Sequence, residues 1–187
     1  FNALLLIGEA ESGLDRSKLL KVDLSDRLHD LAELYEPAAE EAGLIFSENI
    51  EDGLCVRGQP DLISQAVVNL LDNGLKYTPK DGKLEIKAYT DDMKRSCVEV
   101  SDTGPGIPPE DRVRVLDRFV RLEGSRSSPG SGLGLSLVAA VTKLHQGEIV
   151  LDDNKPGLIV RLIFPAFTEI EPALSDARGT PGKVPQK

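Results

Sequence analysis

Apolar residues recur along this chain in short bursts whose spacing alternates between helical and strand periods, and each change of spacing marks a predicted element. Leu4, Leu5, Ile7 and Ala10 share one side of a helix that Gly13 caps. So short an amphipathic stretch cannot bury itself, so it reads as the end of a longer helix. Leu28, Leu31, Ala32, Leu34 and Ala38 predict a second helix, capped by Asp23 or Ser25, running to about Ala42 and stopped by Gly43. Residues 44–50 and 54–57 read as two strands separated by the turn Glu51-Asp52-Gly53. Pro60 opens a third helix, at the position where its missing N–H costs least, and the helix reaches Tyr77 before Pro79 ends it. Residues 84–89 and 97–100 alternate as strands around Asp91-Asp92. Gly, Pro, Ser and Arg then accumulate from Asp102 to Gly132, leaving only a short helix over 110–119. A helix over 133–145 ends at Gly147, and strands over 148–151 and 158–164 form a hairpin across Asn154-Lys155-Pro156-Gly157. Beyond Phe167 the Pro-, Gly- and charge-rich tail is predicted disordered.

These elements predict one α+β domain whose strands pair mainly as hairpins, with helices over one face of the sheet. Loops as long as 102–132 are uncommon in compact domains unless they are lids or binding loops. The 187 residues are 40% hydrophobic but only 4% aromatic, with no Trp, so the core must rest on Leu, Val, Ile and Ala. No apolar run approaches the roughly 20 residues that span a bilayer, and no leader pattern stands at the start. An opening Phe1 rather than Met predicts a piece of a longer polypeptide. The net charge of −9 disfavours nucleic acid as a partner, so a polyanionic ligand must find a local basic patch at Lys76 or along residues 112–126. Cys55 and Cys97 are too few for a disulfide framework and lack metal spacing. They read as reduced thiols of a cytosolic protein.

Three stretches carry candidate chemistry. On the third helix Asn69, Asn73 and Lys76 follow i, i+4, i+7 spacing along one edge of the apolar stripe. Amide oxygens suit Mg²⁺ and an ammonium suits phosphate, although a solvated helix face accounts for the same residues. Next, a strand delivers Asp102 into Thr-Gly104-Pro-Gly106-Ile107-Pro108. There a carboxylate beside glycines can accept from an exocyclic amine on a flat ligand, or simply make an Asp-Gly turn. Last, Gly130-Ser-Gly132-Leu133-Gly134-Leu135 enters the fourth helix, where backbone N–H groups and the dipole favour phosphate. It is not a P-loop, since no GK[ST] follows. Taken together, the three suit one magnesium–nucleotide.

The motifs NLLDNGLKYTP, DTGPGIP, RFVR and GSGLGLSLV resemble the N, G1, F and G2 boxes of sensor histidine kinases, in the superfamily that includes gyrase, mismatch-repair and heat-shock chaperone ATPases. The resemblance covers roughly residues 22–165. It implies a two-layer α/β sandwich of the Bergerat ATP-binding type, with a mixed sheet covered by helices on one face. It divides the chain into the end of a dimerisation helix with its linker (1–20), a catalytic ATP-binding domain (21–167) and a disordered tail (168–187). It implies ATP and Mg²⁺ as cofactors: Asn73 coordinates Mg²⁺ with Asn69 beside it, Lys76 contacts phosphate, and Tyr77 stacks near adenine. Asp102 takes the adenine amine, while Gly104, Gly106 and Ile107 shape that pocket. Phe119 anchors the lid, Arg121 reaches the γ-phosphate, and Gly130, Gly132, Leu133, Gly134 and Leu135 form the loop closing over the triphosphate. Arg118 and Arg126 are further lid cations. Two departures stand out: Gly74 where the family usually has Ala, softening the helix by under ~1 kcal/mol, and Gln59 where an Asp commonly caps it.

The resemblance further implies phosphoryl transfer to a histidine on a dimerisation domain of the same kinase, and a response regulator downstream. It implies a homodimeric full-length protein, of a family that includes membrane-anchored members, and a monomeric, cytoplasmic portion here that touches neither membrane nor nucleic acid. His29-Asp30 imitates the acceptor pair but stands in the wrong surroundings, and His145 reads as structural, so the acceptor is expected before Phe1. Gyrase-type hydrolysis would need a Glu general base where Asn69 stands. An anti-sigma-type serine kinase and a nucleotide-binding regulatory scaffold without phosphotransfer are the alternatives.

Overall fold

A computed structural model of the chain describes residue 8 and residues 19–122 and 131–168. The predicted helix over 1–13 (Gly8 apart), Gly130, Arg126 and the tail after Thr168 lie outside the described residues. The elements run β1 (Leu20–Asp23), α1 (Leu24–Glu41), β2 (Ile45–Ile50), β3 (Cys55–Gly58), α2 (Pro60–Tyr77), β4 (Lys83–Thr90), β5 (Ser96–Asp102), α3 (Gly134–Leu144), β6 (Glu148–Asp153) and β7 (Leu158–Phe164).

Five strands form a mixed sheet in the order β2-β4-β5-β7-β6, with β2 parallel to β4 and the remaining neighbours antiparallel. Leu84, Ile86, Ala88, Val98, Val100, Val160, Leu162 and Phe164 point from its three central strands into one buried core. The helices supply Leu28, Ala32, Ala66, Val67, Leu70, Leu137, Val138 and Val141 to the same core. Alternate residues face outward, where Arg161 pairs with Glu99 at 2.8 Å and Lys87 with Glu85 at 3.0 Å. The architecture is therefore a two-layer α+β sandwich.

Four expectations need correction. First, β2 and β3 do not pair as a hairpin: β3 joins β1 in a separate two-stranded ribbon, and β2 lies beside β4. The turn between them is pinned to the start of α1, because the Ser25 hydroxyl donates to the Glu51 carbonyl (2.6 Å) and accepts from Leu54 N–H (2.9 Å). The chain is thereby turned away from β2. Asp23 is the N-cap, its carboxylate accepting from Asp26 N–H. Second, hairpins account only for β4–β5 and β6–β7, since β1–β3, β2–β4 and β5–β7 are long-range pairings. Third, Leu34 does not join the buried side of α1; it is 66% exposed, and Tyr35 takes the inward position. Fourth, the helix over 110–119 is instead two single turns of 3-10 helix, Pro109–Asp111 and Arg114–Leu116. Val115 alone in these turns is buried, too little packing to offset nucleation of a longer helix.

Candidate functional site

α2 is the spine of the site. Leu62, Ile63, Ala66, Val67, Leu70 and Leu71 bury one face of it, which leaves Asn69 and Asn73 half-buried along the border of that face and Lys76 exposed at the end. Asn69 Nδ2 donates to the Gln65 carbonyl one turn back (2.8 Å). That bond holds the amide so that its oxygen faces the first residue of α3. A methyl added at Gly134 would lie 3.3 Å from Asn69 Oδ1 and within 3.8–4.0 Å of the Asn73 amide. The start of the glycine-rich helix and both asparagines therefore share one wall.

The C-terminal end of α2 meets the end of β5. Gly104 packs against the Tyr77 carbonyl, where a Cβ would sit 2.9 Å away, and its N–H donates to Asp102 Oδ1 at 2.8 Å. Burial pushes the Asp102 carboxyl above the usual carboxylate range, and bonds from the Gly104 and Leu158 amides pull it part of the way back. The Asp102 carbonyl is also held, by Asn154 Nδ2 at 2.7 Å. Gly106 adopts φ +70° against the Gly157 carbonyl, so the turn that carries Ile107 is braced by the β6–β7 loop. Lys76 Nζ sits over the Tyr77 ring, 4.7 Å from its centre.

A third contact closes the arrangement. Phe119 N–H donates to the Gly132 carbonyl at 2.9 Å, and Gly132, at φ +70°, packs on Phe119, Val120 and the stem of Arg121. Phe119, itself at φ +64° and 65% exposed, thus lies at the mouth of the loop entering α3. Leu133 is buried and Leu135 packs partly against the core, so these two anchor the loop. Arg112 and Arg114 of the expected basic run are engaged elsewhere, with Asp152 (3.7 Å) and Asp111 (3.3 Å).

No cluster of three or more His, Cys, Asp or Glu side chains able to hold a metal occurs among the described residues. The donor set is instead two amide oxygens, which fits Mg²⁺ taking the rest of its shell from phosphate and water. Two other hollows occur, of about 420 and 470 Å³. The first lies over the outer sheet face beside Glu85, Lys87 and Glu99, the second beside Lys21 and Gly53, and neither touches Asn69, Asn73 or Asp102. Gln59 makes no side-chain cap on α2; its N–H is taken by His145, a contact that spacing could not reveal.

Residues 58–168 match the family described as histidine kinase-, DNA gyrase B- and HSP90-like ATPase. The signal transduction histidine-protein kinase/phosphatase MprB of Mycolicibacterium smegmatis is 40% identical over 118 residues, covering 60% of this chain and 24% of that protein. The adaptive-response sensory kinase SasA of Trichormus variabilis is 35% identical over 130 residues, 70% of this chain and 32% of that protein. The chain thus matches about a quarter to a third of the length of these relatives. Among solved structures, a mycobacterial sensor histidine kinase MprB gives a TM-score of 0.71 at 30% identity, over 78% of this chain and 97% of that one. Full-length ShkA in complex with AMPPNP gives 0.77 at 25% identity, over 91% and 36%.

Proposed function

Because the chain belongs to the histidine kinase-, DNA gyrase B- and HSP90-like ATPase family, we propose that it binds Mg-ATP between α2 and α3 and supplies the γ-phosphoryl group to a histidine on a dimerisation domain. The observation that carries this reading is the shared wall: a methyl added at Gly134 would stand within 4.0 Å of the amides of both Asn69 and Asn73, which lie one to two helical turns, about 6–12 Å, before the Asp102–Gly104–Tyr77 contact. That distance suits a nucleotide lying along α2, with its base at Asp102 and its phosphates at Gly134.

In this proposal the Asp102 carboxylate accepts from the adenine amine, with Gly104, Gly106 and Ile107 around the ring and Tyr77 against it. Asn73, with Asn69, would hold magnesium through amide oxygens, and the ion would supply charge neutralisation at the phosphates. Lys76 and Arg121 add positive charge along the phosphates, and Gly132, Leu133, Gly134 and Leu135, with Gly130, wrap them at the positive end of α3. The imidazole nitrogen of the acceptor attacks the γ-phosphorus in line, its bond forms as the bond to the β–γ bridging oxygen breaks, and ADP leaves. The domain's share is positioning and charge neutralisation. Asn69 has its amide N–H committed to Gln65 and offers no base to activate water, so the bound nucleotide is kept for transfer. We also propose the remaining partners on the same footing: a homodimeric parent protein, a response regulator that receives the phosphoryl group, and a cytoplasmic location. No helix among the described residues is long and apolar enough to cross a membrane.

The test is phosphotransfer from labelled Mg-ATP to a separately supplied histidine-bearing dimerisation domain. Asn73→Ala is expected to abolish labelling, and undiminished labelling refutes the assignment. Absence of Mg-ATP binding at millimolar nucleotide leaves only a scaffold role.

A further inference from the structure

His145 follows α3 and is 4% exposed, yet it belongs to none of the nucleotide contacts above. Its Nδ1 lies 2.7 Å from the Val141 carbonyl, which can only accept, so Nδ1 carries the proton. Its Nε2 lies 3.0 Å from Gln59 N–H, which can only donate, so Nε2 is the acceptor. Both partners are backbone, and together they select the neutral Nδ1–H form. Gly58 admits the ring: a Cβ there would stand 2.6 Å from His145 Cδ2. Phe164 packs edge-on to it, with centroids 6.0 Å apart.

The groups facing the ring, from β3, α2, α3 and β7, are Gly58, Gln59, Ile63, Val141 and Phe164, none of them charged. The charged residues nearest in sequence to these contacts, Arg57, Asp61 and Lys143, are exposed. A second ring proton would therefore point at a donor with no acceptor or counter-charge beside it. Burial accordingly lowers the basicity of the ring, only partly offset by the Val141 carbonyl.

The placement of this contact gives it consequence. Gln59 is the N-cap of α2, and His145 is the C-cap of α3. The helices run antiparallel, so the far end of the same pair is where Gly134 meets Asn69 and Asn73. Asn69 is ten residues beyond Gln59, roughly 15 Å along the axis. One backbone-to-ring bond thus ties the two rods at one end, and the phosphate mouth opens between them at the other. Resting on the nucleotide reading above, we infer that His145 is a positioning residue: its neutral ring fixes α3 against α2 and so sets the width of the triphosphate mouth, which acid then loosens.

The test measures binding of Mg-ATP and of AMP to the wild-type chain and to His145→Leu and His145→Gln between pH 8 and 5.5. Leu removes the acceptor, whereas the Gln side-chain oxygen can replace Nε2 without titrating. At pH 8 we expect His145→Leu to weaken Mg-ATP about tenfold while AMP, which lacks the phosphates at Gly132–Gly134, changes less than about twofold; His145→Gln restores Mg-ATP to within about threefold of wild type. On acidification the wild type should lose Mg-ATP affinity relative to His145→Gln, whose comparison cancels titration of the nucleotide itself. Should His145→Leu fail to fold, the pH comparison alone decides. Parallel pH profiles for wild type and His145→Gln overturn the inference, as does equal weakening of Mg-ATP and AMP in the Leu variant, which marks a merely structural contact. Wild type that binds neither ligand at pH 8 overturns the nucleotide reading itself, an outcome distinct from these.

Discussion

Replacing Gly74 with alanine sets helix propensity directly against packing. Gly74 lies inside α2 one residue after Asn73 and is buried against the sheet. Propensity alone favours alanine by about 1 kcal/mol at an interior helical position. The structure opposes this: the new Cβ would stand 2.3 Å from Leu84 Cδ1 and 3.2–3.3 Å from two further atoms of the same side chain. Leu84 is 0% exposed, on β4 between β2 and β5, so its methyl cannot swing into solvent. Overpacking of this kind costs about 1–3 kcal/mol. The net expectation is destabilisation of about 0–2 kcal/mol, rather than the gain that propensity predicts. Urea denaturation followed by circular dichroism measures it, with an unchanged m-value required for the comparison. Leu84→Val removes part of the obstructing side chain and should itself cost about 1 kcal/mol. Combined with Gly74→Ala it should cost less than the sum of the two, with a coupling of about 1 kcal/mol or more. A single Gly74→Ala that stabilises by about 1 kcal/mol, additive with Leu84→Val, would refute the reasoning.

Three further outcomes are expected. Asp102→Asn should weaken Mg-ATP at least tenfold by calorimetry while leaving the melting temperature at pH 7 unchanged or higher. A carboxyl whose folded pKa is raised opposes folding while ionised, and the substitution removes that penalty. Gly132→Ala should cost about 1–2 kcal/mol, because φ +70° disfavours a side chain and the Cβ would lie 3.0 Å from Phe119 and Val120 backbone atoms. It should also lower Mg-ATP affinity several-fold, and unchanged affinity would place the triphosphate elsewhere. Tyr35→Phe removes the 2.6 Å bond from the phenol to Asp72 that joins α1 to α2 and should cost about 1 kcal/mol by urea titration. Burial and Asp72 push the Tyr35 phenol upward, so this difference should be constant below about pH 10 and shrink above it.

Much of the fold was legible because its signals are local. Pro60 and Pro79 bracket α2, a cap at Asp23 or Ser25 starts α1, and period-two alternation marks β4; each of these rests on neighbours a few residues away. The candidate site was legible for a related reason, since the asparagine line on α2 and the glycines before α3 are short runs with strong chemical character. Leu34 was misassigned, and the inward Tyr35 passed over, because a one-residue rotation of a helix is decided by what it meets, here the bond from Tyr35 to Asp72.

By itself, then, the sequence determined where helices and strands form and which side chains suit a magnesium–nucleotide, because caps, periodicity and donor chemistry are properties of adjacent residues. Only the tertiary structure decided that β3 joins β1 rather than β2, that Gly74 makes room for Leu84, and that His145 holds the Gln59 amide 86 residues away. Such contacts depend on which surfaces close on one another when the core is buried, and spacing along the chain carries no record of that choice.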